Sequence, residues 1–576
     1  MLNNRDLAET FILIANLSEI KGENIYKTLA YRKAADSLMG LGREASEYWK
    51  EGKLEEIPGV GKAIAEKIDE LLRTGKLKFL QQLKKEVPPS LAEWLQVPGL
   101  GPKKAALISK SLKITTLAQL EKAARAGKLR GLPGMGPKSE GVIIAGIESL
   151  SRRSGRIPLG RAYPLAQQII AQLMDVKGVV EAQPAGSLRR MRSTIGDIDI
   201  LVAARDSKPV MEAFTNLGGV ARVLGRGETK SSIEFRDGVR AQAWVHPPER
   251  FGTALVYATG SKDHNVRLRE LALEQGLSLS EHAFAKTKGG GEILCATEVE
   301  VYGTLGLPWI PPELREDGGE VQAAQKKKLP KLIELKDIIA DLQTHSDWSD
   351  GKLSMLEMAR QAARRGIKVI AFTDHSVSLG VTGGLSIEDH AEQAAEIRQI
   401  QKELGDSILV LHATEVEIRA DGKLDYPDEF LATLDVVVAS LHSSLRQARE
   451  KVTQRVIRAI RNPHVDIIGH PTGRLFPDRE GADLDMEAIF KAAAESGVAL
   501  EINAHPARLD LDDGHARRAR EMGIPISINT DAHSEADMDL RFYGVAIARR
   551  AWLTKEEVIN TWPVQKLLDW LKERGK

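Results

Sequence analysis

Seven short apolar runs between residues 336 and 576 each end on a side chain able to bind a metal. Ala340-Asp341-Leu342-Gln343-Thr344 leads to His345, with Asp350 close behind, and residues 369–373 lead to Asp374 and His375. Residues 410–414 lead to Glu415, 436–441 to His442, 467–469 to His470, 498–500 to Glu501, and 526–530 to Asp531 and His533. Imidazoles and carboxylates in this mixture suit borderline divalent ions. Such ions generate a nucleophile from water near neutral pH, so the chemistry indicated is hydrolysis. Parallel strands that each present a ligand at their C-terminal end predict a barrel with a metal site at its mouth.

A second constellation lies upstream. Gly186-Ser187-Leu188-Arg189-Arg190 precedes Gly196-Asp197-Ile198-Asp199-Ile200. Alternate residues of a strand share a face, so Asp197 and Asp199 point the same way and can hold one divalent ion. Ser187 and Arg190 can bind a triphosphate. Two buried carboxylates with no cation would be too costly.

A third pattern repeats. Ile57-Pro58-Gly59-Val60-Gly61-Lys62, Val97-Pro98-Gly99-Leu100-Gly101-Pro102-Lys103 and Leu132-Pro133-Gly134-Met135-Gly136-Pro137-Lys138 share one phrase. Glycine lets a backbone approach phosphate, and the helix that follows offers free N–H groups and a positive dipole end. These copies resemble the helix-hairpin-helix motif, which holds a DNA backbone without reading sequence.

The elements that must position these groups are legible in outline. A chain of 576 residues is too long for one core. Residues 1–335 hold 50 Lys+Arg and 40 Asp+Glu, whereas 336–576 hold 31 and 40, so a basic front half precedes an acidic back half. A basic front suits a polyanion. No apolar run is long enough to span a bilayer, so no membrane partner is expected. A single cysteine, Cys295, excludes an internal disulfide, and no secretion signal precedes the first helix, so a cytoplasmic location is expected. The tract 322–330, with Lys326-Lys327-Lys328, reads as a linker.

Across residues 1–315 the chain resembles family X DNA polymerases. Tyr257-Ala258-Thr259-Gly260-Ser261-Lys262-Asp263-His264-Asn265 is similar to their sugar and base pocket, and 307–315 is similar to their ending. The resemblance implies dNTP transfer at Asp197 and Asp199 with Mg²⁺ or Mn²⁺. It further implies nucleotide contacts from Ser187, Arg190, Gly196, Tyr257, Gly260 and Asn265. Its third carboxylate is Gln242 here, a neutral amide that cannot act as a base, so weakened catalysis is expected. Ala258 replaces the aromatic residue usual after the pocket tyrosine. The N-terminal segment resembles the small domain of DNA polymerase beta, which implies a Schiff-base lysine at Lys67 and a 5′-phosphate contact from Lys27. The hairpins imply DNA contacts at Gly59, Gly61, Gly99, Gly101, Gly134 and Gly136.

Residues 336–576 resemble the PHP domain, which implies a Mn²⁺ or Zn²⁺ cluster on His345, Asp350, His375, Glu415, His442, His470, Asp531 and His533. Gln343 stands where many members have His, so one ligand is lost or weakened. The expected fold is multidomain. Helical helix-hairpin-helix domains (1–85 lyase-like, 86–152 fingers-like) precede an α+β nucleotidyltransferase palm (153–245) and thumb (246–318). A linker (319–335) and a distorted α/β barrel (336–576) follow. The expected function is gap-filling DNA synthesis plus metal-dependent 3′→5′ exonuclease and abasic-site processing by the PHP domain, acting as a monomer on gapped, nicked or damaged DNA. The rival is an end-processing nuclease whose polymerase site only binds nucleotides.

Overall fold

Local sequence dictates the helices of the N-terminal region. The helix Lys62–Thr74 turns Ile64, Ala65, Ile68, Leu71 and Leu72 to one buried face and stops at Gly75, which has a left-handed backbone. This computed structural model describes every residue except 1, 3, 40, 42, 43, 96, 98, 153–155, 289, 379–382, 477, 478, 575 and 576. Pro98 of the second hairpin and residue 153, the expected start of the palm, lie outside the described residues. The chain forms two compact units, residues 1–155 with 235–239, and residues 156–234 with 240–576.

In the first unit, helices surround a core that includes Phe11, Trp94 and Ile108. The second unit begins with a five-stranded sheet of β1 (Val179–Pro184), β2 (Ile198–Ala204), β3 (Val220–Arg226), β4 (Lys230–Phe235) and β5 (Arg240–His246), ordered β1-β2-β5-β4-β3. β2 and β5 run parallel, and each has an antiparallel partner on its other side. The helices Phe251–Thr259 and Lys262–Glu274 follow.

Residues 319–335, expected as a linker, are instead ordered against this unit. They carry the helix Glu320–Gln325, and Val321, Ala324 and Leu332 join a core with Phe284 and Tyr302. Glu320 is buried and accepts from His264 Nδ1 at 2.6 Å. The lysine run disguised three apolar positions that do pack.

The remainder is a seven-stranded parallel sheet in sequential order: β6 (Ala340–Thr344), β7 (Val369–Phe372), β8 (Leu409–Glu417), β9 (Val436–Ser440), β10 (Ile467–Gly469), β11 (Ala499–Asn503) and β12 (Ile526–Asn529). All but β8 are buried at every position, as parallel strands covered on both faces must be. The sheet closes at its C-terminal rim. Asp531 N donates to Gln343 O at 3.1 Å and His345 N to Ala532 O at 2.9 Å. Among the described residues no helix is long and apolar enough to cross a membrane.

Candidate active sites

At the rim of the barrel the expected ligands converge. His345, Asp350, His375 and His533 form one group; His375, Glu415 and His442 a second; His345, Glu415 and Asp531 a third. Within each, the ligand atoms lie within 4.8 Å of one another. His345, His375 and Glu415 each belong to two groups, which makes this a cluster. His470 Nε2 adds to it, 2.8 Å from Glu415 Oε1.

The orientation of these atoms tests whether a metal fits. Both Glu415 oxygens, both nitrogens of His345 and His470, His375 Nδ1 and His442 Nε2 are buried without a hydrogen-bond partner. Yet Glu415 lies 3.1 Å from His375, 3.4 Å from His442 and 3.5 Å from His345. These nitrogens and oxygens converge without hydrogen-bonding one another. Buried polar atoms left so would be costly unless cations satisfy them. The donor set therefore fits divalent transition ions. Electrostatics agree: burial opposes protonation of His375, but Glu415 and Asp350 push it up to about 10. His533, against the same opposition, is pushed up to about 9 by Asp350 and Asp531. Burial works against ionised Glu415, yet His442 and His375 hold it well below the usual carboxylate range.

Further residues orient the ligands. Glu417, two positions after Glu415, accepts from His442 Nδ1 at 2.9 Å and from the His442 and Ser443 backbone N–H groups, both at 3.0 Å. His442 thereby presents Nε2 to the cluster. Asp531 O lies 2.7 Å from His533 Nδ1, turning Nε2 toward Asp350. Glu501 accepts from His470 N at 2.6 Å and Asn529 Nδ2 at 2.8 Å. His470 and Asp531 have positive φ angles of 27° and 54°, strain that the surrounding bonds sustain. Gln343, at the closing seam, has a buried amide with no hydrogen-bond partner, so its Oε1 remains a neutral acceptor. Arg508 Nε lies 3.2 Å from Asp531 Oδ2, and its buried Nη1 has no partner. Sequence reading passed over Glu417 and Arg508.

In the palm, Asp197 directly precedes β2 and Asp199 is its second residue. Asp199 is in register with Gln242 of β5, and Gln242 Nε2 lies 3.4 Å from Asp197 Oδ2. Gly186 has φ +59°, and a Cβ there would fall 2.3 Å from Asp199 Oδ2, so only glycine fits beside that carboxylate. Burial and the charge of Asp197 push Asp199 up to about 6, a pair that gains from a cation. Arg190 Nη1 donates to Thr259 O at 2.5 Å, beside Gly260, and Asn265 Nδ2 donates to Tyr257 O at 2.8 Å. Ser187 lies on the short helix Gly186–Arg189, and Gly196 precedes Asp197. Arg189 pairs with Glu298 at 2.6 Å, and Glu298 also takes Arg315 at 2.6 Å.

The three hairpins have one geometry. Val60 N, Leu100 N and Met135 N each donate to the carbonyl three residues back at 3.0 Å. Gly59, Gly99 and Gly134 have φ of +76°, +83° and +70°, as a type II turn requires at its third position. Gly61 and Gly101 then cap the next helices with φ of −85° and −80°, where any residue would fit. A Cβ at Gly61, Gly101 or Gly136 would meet only open space. The fold does not demand glycine there; a closely approaching phosphate backbone would. Lys27 is exposed. Lys67 Nζ donates to Ala63 O at 3.0 Å and sits 5.4 Å from the Phe79 ring.

Known families match these regions. Residues 2–77 match a helix-hairpin-helix domain, 92–149 a SAM-like helix-hairpin-helix tandem, 254–316 the DNA polymerase beta thumb and 341–505 the PHP domain. DNA polymerase/3′-5′ exonuclease PolX of Bacillus subtilis (strain 168) is 37% identical over 573 residues, covering 99% of this chain and 100% of that protein. The chain belongs to the PolX family of DNA polymerases. Similarity along this chain is modular. Rat DNA polymerase lambda is 26% identical over 349 residues, 54% of this chain and 56% of its own. A probable phosphatase of Thermoanaerobacter sp. (strain X514) is 30% identical over 250 residues, 42% of this chain and 96% of its own.

Proposed function

We propose that this chain fills gaps in nicked or damaged DNA with its palm and trims 3′ ends with its barrel, as a cytoplasmic monomer. It is a family X DNA polymerase with a PHP-type exonuclease, and both activities depend on metal. The observation that carries the reading is the presence, in one chain, of the Asp197–Asp199 pair and the partnerless ligand cluster around Glu415. The nuclease-only rival is not favoured, because the likeness to PolX spans the palm and thumb as well as the barrel.

At the palm, Asp197 and Asp199 would hold Mg²⁺ or Mn²⁺. Ser187 and Arg190 bind the triphosphate, Gly196 leaves room beside it, and Tyr257, Gly260 and Asn265 border the sugar and base. Gln242 cannot accept the primer hydroxyl proton, so extension is slow. At the barrel, His345, Asp350, His375, Glu415, His442, His470, Asp531 and His533 would hold Mn²⁺ or Zn²⁺. Bound at these sites, such ions offset phosphoryl charge and supply a nucleophile from water. Arg508 presents its partnerless nitrogen to the scissile phosphate, and Glu417 keeps His442 in one tautomer. The hairpin glycines and Lys27 hold the DNA backbone. Lys67, once released from Ala63 O, is the amine for abasic-site processing.

One gapped, 3′-labelled duplex tests this with Mg²⁺ and Mn²⁺. Asp197→Ala should abolish extension and leave end trimming, and His345→Ala the reverse. If both variants retain both activities, the site assignments are wrong.

A further inference from the structure

The last helical turn of Arg541–Arg550 ends beside the nucleotide site. Arg550 is buried. Its Nη1 donates to Arg190 O at 2.6 Å and Glu316 Oε1 at 3.0 Å, and its Nη2 to Asp513 Oδ2 at 2.6 Å. Glu316 Oε1 also accepts from Arg190 Nε at 3.1 Å. With Nη1 on Thr259 O, two nitrogens of the Arg190 guanidinium are fixed, and Nη2 is uncommitted among the described residues.

Neighbouring contacts brace this junction. Arg549 Nε donates to Glu313 Oε1 at 2.7 Å. Tyr163, on the palm helix Leu159–Met174, packs against Phe542 with ring centroids 4.9 Å apart. Gly160 lies so close to Pro506 that a Cβ would fall 2.3 Å from it.

We propose that Arg550, from the barrel domain, is a positioning residue for the polymerase site, fixing Arg190 and Glu316 so that Arg190 Nη2 faces the incoming triphosphate. This rests on the reading of Arg190 as a triphosphate ligand. Arg550 does not itself bind nucleotide. Asp513 balances its charge, Glu316 transmits its position, and the Arg190 carbonyl anchors the backbone. The barrel domain is then a working part of the polymerase as well as the nuclease.

The test is steady-state extension of a gapped primer by the full chain, separating KM for dNTP from kcat, with exonuclease activity measured alongside. Arg550→Ala should raise KM on the order of tenfold, the scale of coupling between residues in one network. Arg550→Lys should recover part of that loss, and trimming should stay within about twofold, as expected for a residue outside that network. In an Arg190→Ala background, Arg550→Ala should add nothing to KM. An unchanged KM in Arg550→Ala, or a further rise in the Arg190→Ala background, overturns the proposal. An unchanged KM in Arg190→Ala overturns the triphosphate reading itself. If Arg550→Ala fails to fold, Asp513→Asn decides: a rise in KM alone supports the proposal, whereas no change or an equal loss of both activities refutes it.

Discussion

Gln242 stands in register with Asp199 on the adjacent parallel strand and points its amide nitrogen at Asp197, 3.4 Å from Oδ2. A neutral amide thus faces Asp197 from the strand beside Asp199, at the position where the family resemblance implies a third carboxylate. Gln242→Asp should increase single-nucleotide incorporation with Mg²⁺ on the order of 10²-fold, the lower range for a general base. Equal rates for Gln242→Ala and wild type would leave Gln242 with no role.

Glu417 sets the tautomer of His442 from outside the cluster. Replacing it with glutamine should weaken Mn²⁺ binding by about 10- to 100-fold, as removal of such orienting carboxylates does. Titration calorimetry on the metal-stripped chain reads the change directly. Unaltered affinity would mean that packing alone holds the imidazole.

Glu316 gives a pH signature. Burial would raise its pKa, but Arg550 and Arg190 hold it down at about 2, from an ordinary 4.5. A carboxylate lowered by folding stabilises above its unfolded pKa and loses that contribution as pH falls from 4.5 toward 2. The effect is at most roughly 3 kcal/mol. With chelator present, the Tm gap between wild type and Glu316→Gln should be widest near neutrality and narrow below about pH 4.5. A gap independent of pH contradicts the ion-pair account.

Lys62, Lys103 and Lys138 follow the three hairpin turns. Changing all three to alanine should flatten the slope of log affinity against log salt by about 3, roughly one per lost phosphate contact. The loss should be the same for unrelated duplex sequences. A slope equal to wild type would remove the hairpins from the interface.

The barrel was legible because runs such as Val369–Phe372, Val436–Ser440 and Ile467–Gly469 are short and largely apolar and each leads into a residue able to bind a metal, a pattern set by local chemistry. Hairpin turns were legible for the same reason, since Pro and Gly each have one use at those positions. Glu417 was missed although it follows Glu415 by two, the spacing that returns a strand to one face; a single strand therefore supplies both a ligand and its orienting carboxylate. Arg508 lies on a loop after β11, where no periodicity marks it. The Arg190–Glu316–Arg550 junction joins positions far apart in sequence, and nothing in any one segment announces the others. In 319–335, the mean polarity of a lysine-rich stretch concealed Val321, Ala324 and Leu332.

The seam between β6 and β12 gives the nuclease a place in time. Asp531 and His533 emerge from the ribosome long after Asp197 and Asp199, and they complete a pocket whose first wall was made nearly two hundred residues earlier. A chain clipped before β12 would keep Asp197 and Asp199 but lose Asp531 and His533 from the ligand groups at the barrel rim.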